Sequence, residues 1–223
     1  MSHTFIIGDI HGCYDELIEL LEKLALTADD RVVAVGDLTV RGPKNRTVLD
    51  LFSTDSRFSS VIGNHDLALV QYWRGQRASL SPEQERAFTE LQSHDDRYLH
   101  FLGSLPPLLD LGSHVVVHAG IRPGVPLSEQ SVEDLVLLRT LGEDRTSCEG
   151  TRWYEAYEGP SVVVFGHWPG SQPRLGPHAI GLDTGCVYGG QLTAYAVETR
   201  QFISVDAARA YDNSGANFLN QQH

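Results

Sequence analysis

Five short glycine-bracketed motifs, each carrying side chains that ligate cations, punctuate the chain where apolar, β-branched runs stop. They are GDIHG at 8–12, GDLTVRG at 36–42, GNHD at 63–66, HAG at 118–120 and GH at 166–167, after FII, VVAV, SSVI, VVV and VVVF. Runs of this kind read as buried strands, and ligands on neighbouring strand ends converge at one side of a sheet. The carboxylates of Asp9 and Asp37, the imidazoles of His11, His118 and His167 and the amide oxygen of Asn64 suit borderline divalent ions. Mn²⁺ leads, with Co²⁺, Fe²⁺ and Zn²⁺ as alternatives, and so many ligands imply two ions. One GDIHG is an ordinary turn after a strand, and a lone His118 is more often a packed core residue. Five such motifs in series constrain the fold far more.

The strand-like stretches at 4–8, 32–36, 59–62 and 114–117 alternate with helical ones, which is an α/β pattern. The clearest helix puts Leu17, Ile18, Leu20, Leu21 and Leu24 on one apolar face, with Asp15, Glu16, Glu19, Glu22 and Lys23 mostly elsewhere. A polar, mainly helical stretch over 64–103, with Ser81 as an N-cap before Pro82, is expected to cap the cleft. From 160 onward, SVVVFGH, HAIGLD, QLTAYAVE and QFISV follow one another through Gly and Pro turns, predicting a second sheet packed on the first. One domain is expected over 1–205, then a polar tail over 206–223 with weak helical character around 206–211.

The net charge of −12 over 223 residues argues against loose nucleic-acid binding, which depends on neutralising phosphates with Lys and Arg. An anionic substrate needs a local exception, which bound cations and selected arginines can supply. No apolar run approaches a membrane span, and a strand begins almost at the N-terminus, leaving no room for a signal peptide. Three cysteines, Cys13, Cys148 and Cys186, without a C-x-x-C pair suggest neither a disulfide framework nor a zinc knuckle; a reducing cytoplasm is the expected setting.

In this order the motifs resemble the phosphoprotein phosphatase branch of the metallophosphoesterases, over roughly residues 4–200. The resemblance implies a four-layer α/β/β/α sandwich of two mixed sheets with a dinuclear metal centre at the sheet edge. Matched position by position, it implies that Asp9, His11 and Asp37 hold one ion and that Asp37, Asn64, His118 and His167 hold the other, with Asp37 bridging. It makes His65 the acid near the leaving group and Arg41 and Arg139 the clamps on the phosphoryl oxygens. Within the branch, GDIHGCYDELIELL, GHW at 166–168 and LDTGCVYGGQLTAY at 182–195 resemble the symmetrical dinucleoside tetraphosphate hydrolases. HAGIRPGVPLSEQ at 118–130 is more similar to bacterial serine/threonine protein phosphatases, and the chain is shorter than the usual hydrolase between HAG and GHW.

Val40 decides between these substrates. The protein phosphatases carry an aspartate there, holding the leaving-group histidine, and valine cannot accept that hydrogen bond. An imidazole without a carboxylate partner is a weaker holder of a proton near neutrality, so His65 should be a poorer general acid. An alkoxide leaving group needs that proton, whereas the terminal phosphate of a departing nucleotide, with a pKa of about 6, does not. The expected activity is therefore symmetrical cleavage of diadenosine tetraphosphate to two ADP, with a protein phosphatase or broad monoesterase as the alternative. Removal of nucleoside-tetraphosphate caps from RNA 5′ ends would be the same chemistry, and a scaffold that has lost catalysis is disfavoured because every ligand is present. Tyr72, Trp73, Trp168 and Tyr188 are candidates for stacking on adenine. Cys13 and Cys186 are expected to pack rather than react, and Asp66 to cap the helix that starts at GNHD.

Overall fold

Successive side chains along the buried strands alternate between two interiors, and this period of two builds the layers. The computed structural model describes residues 2–93 and 96–214. Its elements run β1 (Thr4–Ile7), α1 (Tyr14–Leu24), β2 (Arg31–Ala34), α2 (Asn45–Thr54), β3 (Phe58–Ser60), α3 (Asn64–Trp73), α4 (Pro82–Gln92), α5 (Arg97–Leu102) and β4 (Leu108–Asp110). They continue through β5 (His114–Val117), α6 (Val132–Leu137), α7 (Trp153–Ala156), β6 (Val162–Phe165), β7 (Arg174–Gly176), β8 (Ala179–Gly181), β9 (Gln191–Ala196) and β10 (Gln201–Asp206).

One sheet has the order β10-β9-β1-β2-β3 and the other β4-β5-β6-β8-β7. Both are mixed: β1-β2-β3 and β5-β6-β8 are parallel, with antiparallel strands at their flanks. Ile6, Val33, Val116 and Val164 meet between the sheets. Their neighbours Ile7, Val32 and Ala34 turn outward onto the cluster that contains Leu17 of α1 and Leu49 of α2. On the other side, Val115, Val117, Val163 and Phe165 pack with Leu135 of α6 and the fully buried Trp153 of α7. The result is the expected helix, sheet, sheet, helix sandwich.

The order of strands departs from the expectation in two respects. First, β5, expected with the first sheet, lies in the second between β4 and β6. The last two strands do not extend the second sheet; β9 returns to pair antiparallel with β1, Ile6 opposite Tyr195. The 64–103 segment is helical, and Ser81 does cap α4, its hydroxyl accepting from the Gln84 amide while Gln84 Oε1 accepts from Ser81 N at 3.0 Å. No helix forms over 206–211. Instead Ala210 bridges to Tyr188, the amides of Tyr211 and Asp212 both donate to Val187 O, and the Tyr211 hydroxyl donates to Glu16 at 2.8 Å. Residues 215–223 of the expected tail lie outside the described residues. No helix among the described residues is long and apolar enough to cross a membrane.

Candidate metal centre

The parallel core of each sheet contributes three side chains to one cleft. Asp9, Asp37 and Asn64 follow β1, β2 and β3; His118, His167 and Asp183 follow β5, β6 and β8. The site therefore straddles both sheets, rather than one sheet as the strand-end reading implied. The turns are tight, and several non-glycine residues adopt positive φ: His11 at 47°, Asp37 at 48°, Val40 at 75°, Arg41 at 71° and His167 at 67°. Such angles are uncommon outside glycine and outlying for valine, so backbone strain is concentrated where the ligands are aimed. Gly63, just before Asn64, must itself lack a side chain: a Cβ there would meet Asp37 Oδ1 at 2.1 Å.

Hydrogen bonding fixes the imidazoles with their lone pairs inward. His11 Nδ1 donates to Thr39 O at 3.0 Å and His118 Nδ1 donates to Val35 O at 2.9 Å. Each ring thereby turns an unprotonated Nε2 toward Asp37 Oδ2, at 3.5 Å and 3.4 Å. His118 Nε2 also faces Asn64 Oδ1 at 2.8 Å, which in turn lies 2.9 Å from His167 Nδ1. His167 Nε2 is buried with no partner. Acceptors facing acceptors are unfavourable unless a cation lies among them. Asp9, Asp37 and His118 each offer a ligand atom, all within 4.8 Å of one another. A second buried group, Cys13, Glu16 and Cys186, meets the same distance condition.

Charge points the same way. Burial, with Asp183 and Asp37 nearby, holds the Asp9 carboxyl well above the usual range; burial pushes Asp37 up to about 7 and raises Asp183. Burial also lowers His118 to about 4 and keeps His11, His65 and His167 well below the ordinary imidazole value. Crowded buried carboxylates beside neutral imidazoles are an arrangement that a divalent ion relieves. The donor set fits such ions.

The cavity around this cluster has a volume of about 270 Å³ and is also lined by Arg41, Arg139, His65, Asp183 and Tyr188. Arg41 Nη1 donates to His11 Nε2 at 3.1 Å, its Nε faces Asp212 at 3.1 Å, and its guanidinium lies 5.4 Å from the Tyr188 ring centre. Arg139, beyond the end of α6 rather than on a helix, donates to Thr146 O and His167 O at 3.5 Å and to Cys148 Sγ at 3.6 Å, and among the described residues its buried Nε has no partner. A shallower cavity of about 320 Å³ continues past Arg41 beside Arg209 and Tyr211.

Three features were missed in the sequence. Asp183 closes the carboxylate cluster; its signal was LDTG at a strand end, the same strand-then-glycine pattern as the other motifs. Asp212 has no motif at all. Gln84 supplies the partner that Val40 does not: held by the cap of α4, its Nε2 lies 3.3 Å from His65 Nδ1, so the ring has an amide in place of a carboxylate. Val40 itself is fully buried in the apolar cluster. Asp66 does more than cap α3, since its carboxylate accepts from Leu38 N, Thr39 N and Thr39 Oγ1 at 3.0, 3.1 and 2.6 Å. Of the four aromatic candidates only Tyr188 lines the cavity. Tyr72 packs edge-on against Phe88, Trp73 against His100, and Trp168 is in the core beneath Arg174.

The family description that matches residues 3–190 is calcineurin-like phosphoesterase, and the chain belongs to that family. It is 34% identical to the asymmetrical bis(5′-nucleosyl)-tetraphosphatase PrpE of Bacillus velezensis, over 94% of each chain. To the Bacillus subtilis protein of the same name it is 34% identical, over 94% of this chain and 96% of that one. A crystal structure of a protein provisionally assigned as a diadenosine tetraphosphatase superposes with a TM-score of 0.78 at 32% identity, covering 92% and 93% of the two chains. A serine/threonine phosphatase from Saccharomyces cerevisiae, with a TM-score of 0.64 at 15% identity over 92% of this chain and 79% of the other, shares the fold. These relatives overturn the expectation of a symmetrical hydrolase yielding two ADP: proteins related to nearly the whole chain are named for asymmetrical cleavage.

Proposed function

We propose that the protein is a metal-dependent phosphoanhydride hydrolase that cuts a dinucleoside polyphosphate off-centre, turning diadenosine tetraphosphate into ATP and AMP. The observation that carries this reading is the pair of lone pairs that His11 and His118 turn toward Asp37, with the unpartnered Nε2 of His167 beside them and two guanidinium groups lining the same cavity. Asp9, His11 and Asp37 would hold one divalent ion and Asp37, Asn64, His118 and His167 the other, with Mn²⁺ as the favoured metal. When bound, the ions would lower the pKa of a water and offset phosphoryl charge. Arg41 and Arg139 grip the nonbridging oxygens, and Asp183 adds negative charge to the ion side.

His65 lies at the rim, its ring 5.4 Å from that of His11. With Nδ1 accepting from Gln84, its proton is on Nε2, free to donate one hydrogen bond to a leaving oxygen. That is adequate for an anhydride, whose leaving phosphate departs as an anion, and poor for an alkoxide. Capped RNA 5′ ends offer the same anhydride and are a further candidate substrate. The three free cysteines favour a cytoplasmic setting. The test is anion-exchange analysis after incubation with Mn²⁺ and diadenosine tetraphosphate, beside a phosphoserine peptide. Equal ATP and AMP are expected; ADP as sole product, or faster release of phosphate from the peptide, would overturn the reading.

A further inference from the structure

Next to the metal cavity lies a second cavity of about 260 Å³; Asn64 lines both, and Gln84, the partner of His65, lines the second. Leu67 of α3 and Val136 and Leu137 of α6 give it an apolar slot, while Gln71 and Gln84 place amides along one wall. Val132, 43% exposed, is an apolar side chain left at its mouth. Arg77 also lines it. Arg77 Nε donates to Ser79 O at 2.9 Å, and among the described residues no carboxylate pairs with it. Glu133 is the one acid in the lining. The volume lies just below the ~300–1,000 Å³ of most small-ligand sites, room for one nucleoside.

Resting on the hydrolase reading above, we infer that this cleft seats the nucleoside of the leaving group, so that the group expelled is a nucleoside monophosphate. The slot takes the base, the Gln71 amide meets its polar edge, Glu133 accepts from ribose hydroxyls, and Arg77 pairs with the first phosphate. The next phosphate then falls on the Asp and His cluster, because Asn64 lines both cavities. Water oxygen bonds to that second phosphorus in line. The bridging bond between the first two phosphates breaks, its electron pair stays on the monophosphate, and the water proton passes to solvent. The remaining triphosphate stays with Arg41 and Arg139, its nucleoside directed toward the cavity beyond Arg41. Asymmetry is then a matter of reach: a cleft one phosphate from the cluster cannot set the central anhydride over it.

Two measurements test this. In methyl NMR spectra, AMP but not inorganic phosphate should shift Leu67, Val132, Val136 and Leu137, and Gln71→Trp, which fills the mouth, should abolish the shifts. Undisturbed methyls at millimolar AMP would overturn the cleft assignment whether or not the protein cuts dinucleotides. Hydrolysis of diadenosine tetraphosphate in ¹⁸O-water should label the ATP; label in the AMP would overturn the assignment of leaving group. Arg77→Ala, at an exposed position, should lower the preference for diadenosine tetraphosphate over inorganic tripolyphosphate on the order of tenfold, the loss of one charged contact. An unchanged ratio would count against the cleft. AMP binding there without any dinucleotide cleavage would instead defeat the hydrolase reading and the leaving-group role with it.

Discussion

Replacing Asp66 by alanine tests whether the site is held together from behind. The carboxylate is completely buried and accepts from two backbone amides and one hydroxyl of the GDLT turn. Three hydrogen bonds to a charged acceptor contribute roughly 1.5–3 kcal/mol each. Burial and the nearby Asp37 push Asp66 up to about 6 even with these bonds in place. Asp66→Ala would leave Leu38 N and Thr39 N buried and unpaired, a net loss of about 3 kcal/mol. At this chain length that is a fall in Tm of about 6–12 °C. Because Asp37 sits on the same turn, divalent-ion affinity should weaken about 10- to 100-fold, the usual effect of removing a group that orients a ligand. Urea unfolding and calorimetric titration with Mn²⁺ measure the two effects separately. Thr39→Val, which deletes only the hydroxyl contact, should cost about 1 kcal/mol. A loss below about 1 kcal/mol for Asp66→Ala, with Mn²⁺ affinity intact, would show that the turn keeps its shape without this carboxylate.

Chelation should destabilise the loaded protein: an ion at 100 times its Kd adds about 2.7 kcal/mol, or about 5–11 °C in Tm, readable by scanning calorimetry with and without EDTA. Asp37→Asn should remove most turnover by deleting the charge central to the cluster; wild-type turnover in this variant would defeat the ligand assignment. Asp212→Asn, releasing Arg41 Nε, should raise KM more than it lowers kcat, and the reverse split in steady-state kinetics would refute an orienting role. Asp30 accepts from the amides of Thr27 and His3, which hold its pKa at about 2. Its folded value is depressed, so its contribution is complete above the unfolded value of about 3.9 and is lost as pH falls through about 2. Acid unfolding of Asp30→Asn should lack that component.

The strand ends were legible because burial on both faces leaves an unbroken apolar run, as in Val115 to Val117, and a glycine motif marks where it stops. That alone placed Asp9, Asp37, His118 and His167 at one edge. Which sheet β9 joins was not legible, since QLTAYAVE reads the same whether it pairs with β8 or with β1. Partners supplied from far along the chain were equally invisible: Gln84 reaches His65 from a helix cap, and Asp212 reaches Arg41 from a segment with no pattern of its own. The argument from Val40 was right that His65 lacks a carboxylate and wrong to leave it unoriented. The position of the cut was misread for a related reason. The motifs carry the ligand types alone, and the relatives that share nearly the whole chain are named for asymmetrical cleavage.

A cluster built from strand ends of both sheets also suits so acidic a protein to a polyanion, if it holds the cations proposed above. Asp9, Asp37 and Asp183 lie in one buried cluster, and their mutual repulsion opposes the packing of the two sheets that Ile6, Val33, Val116 and Val164 drive. Bound cations would convert that repulsion into attraction across the same seam and reverse the field in the cavity that Arg41 and Arg139 line. Stability and affinity for phosphate would then depend on the same ions. The guanidinium on His11 Nε2 fits this view: without a cation, Arg41 donates to the lone pair an ion would take, and loading releases that donor toward the phosphoryl group. On the function proposed above, binding of the ion and release of the Arg41 guanidinium would be one event, set on the strained turn at Val40 and Arg41.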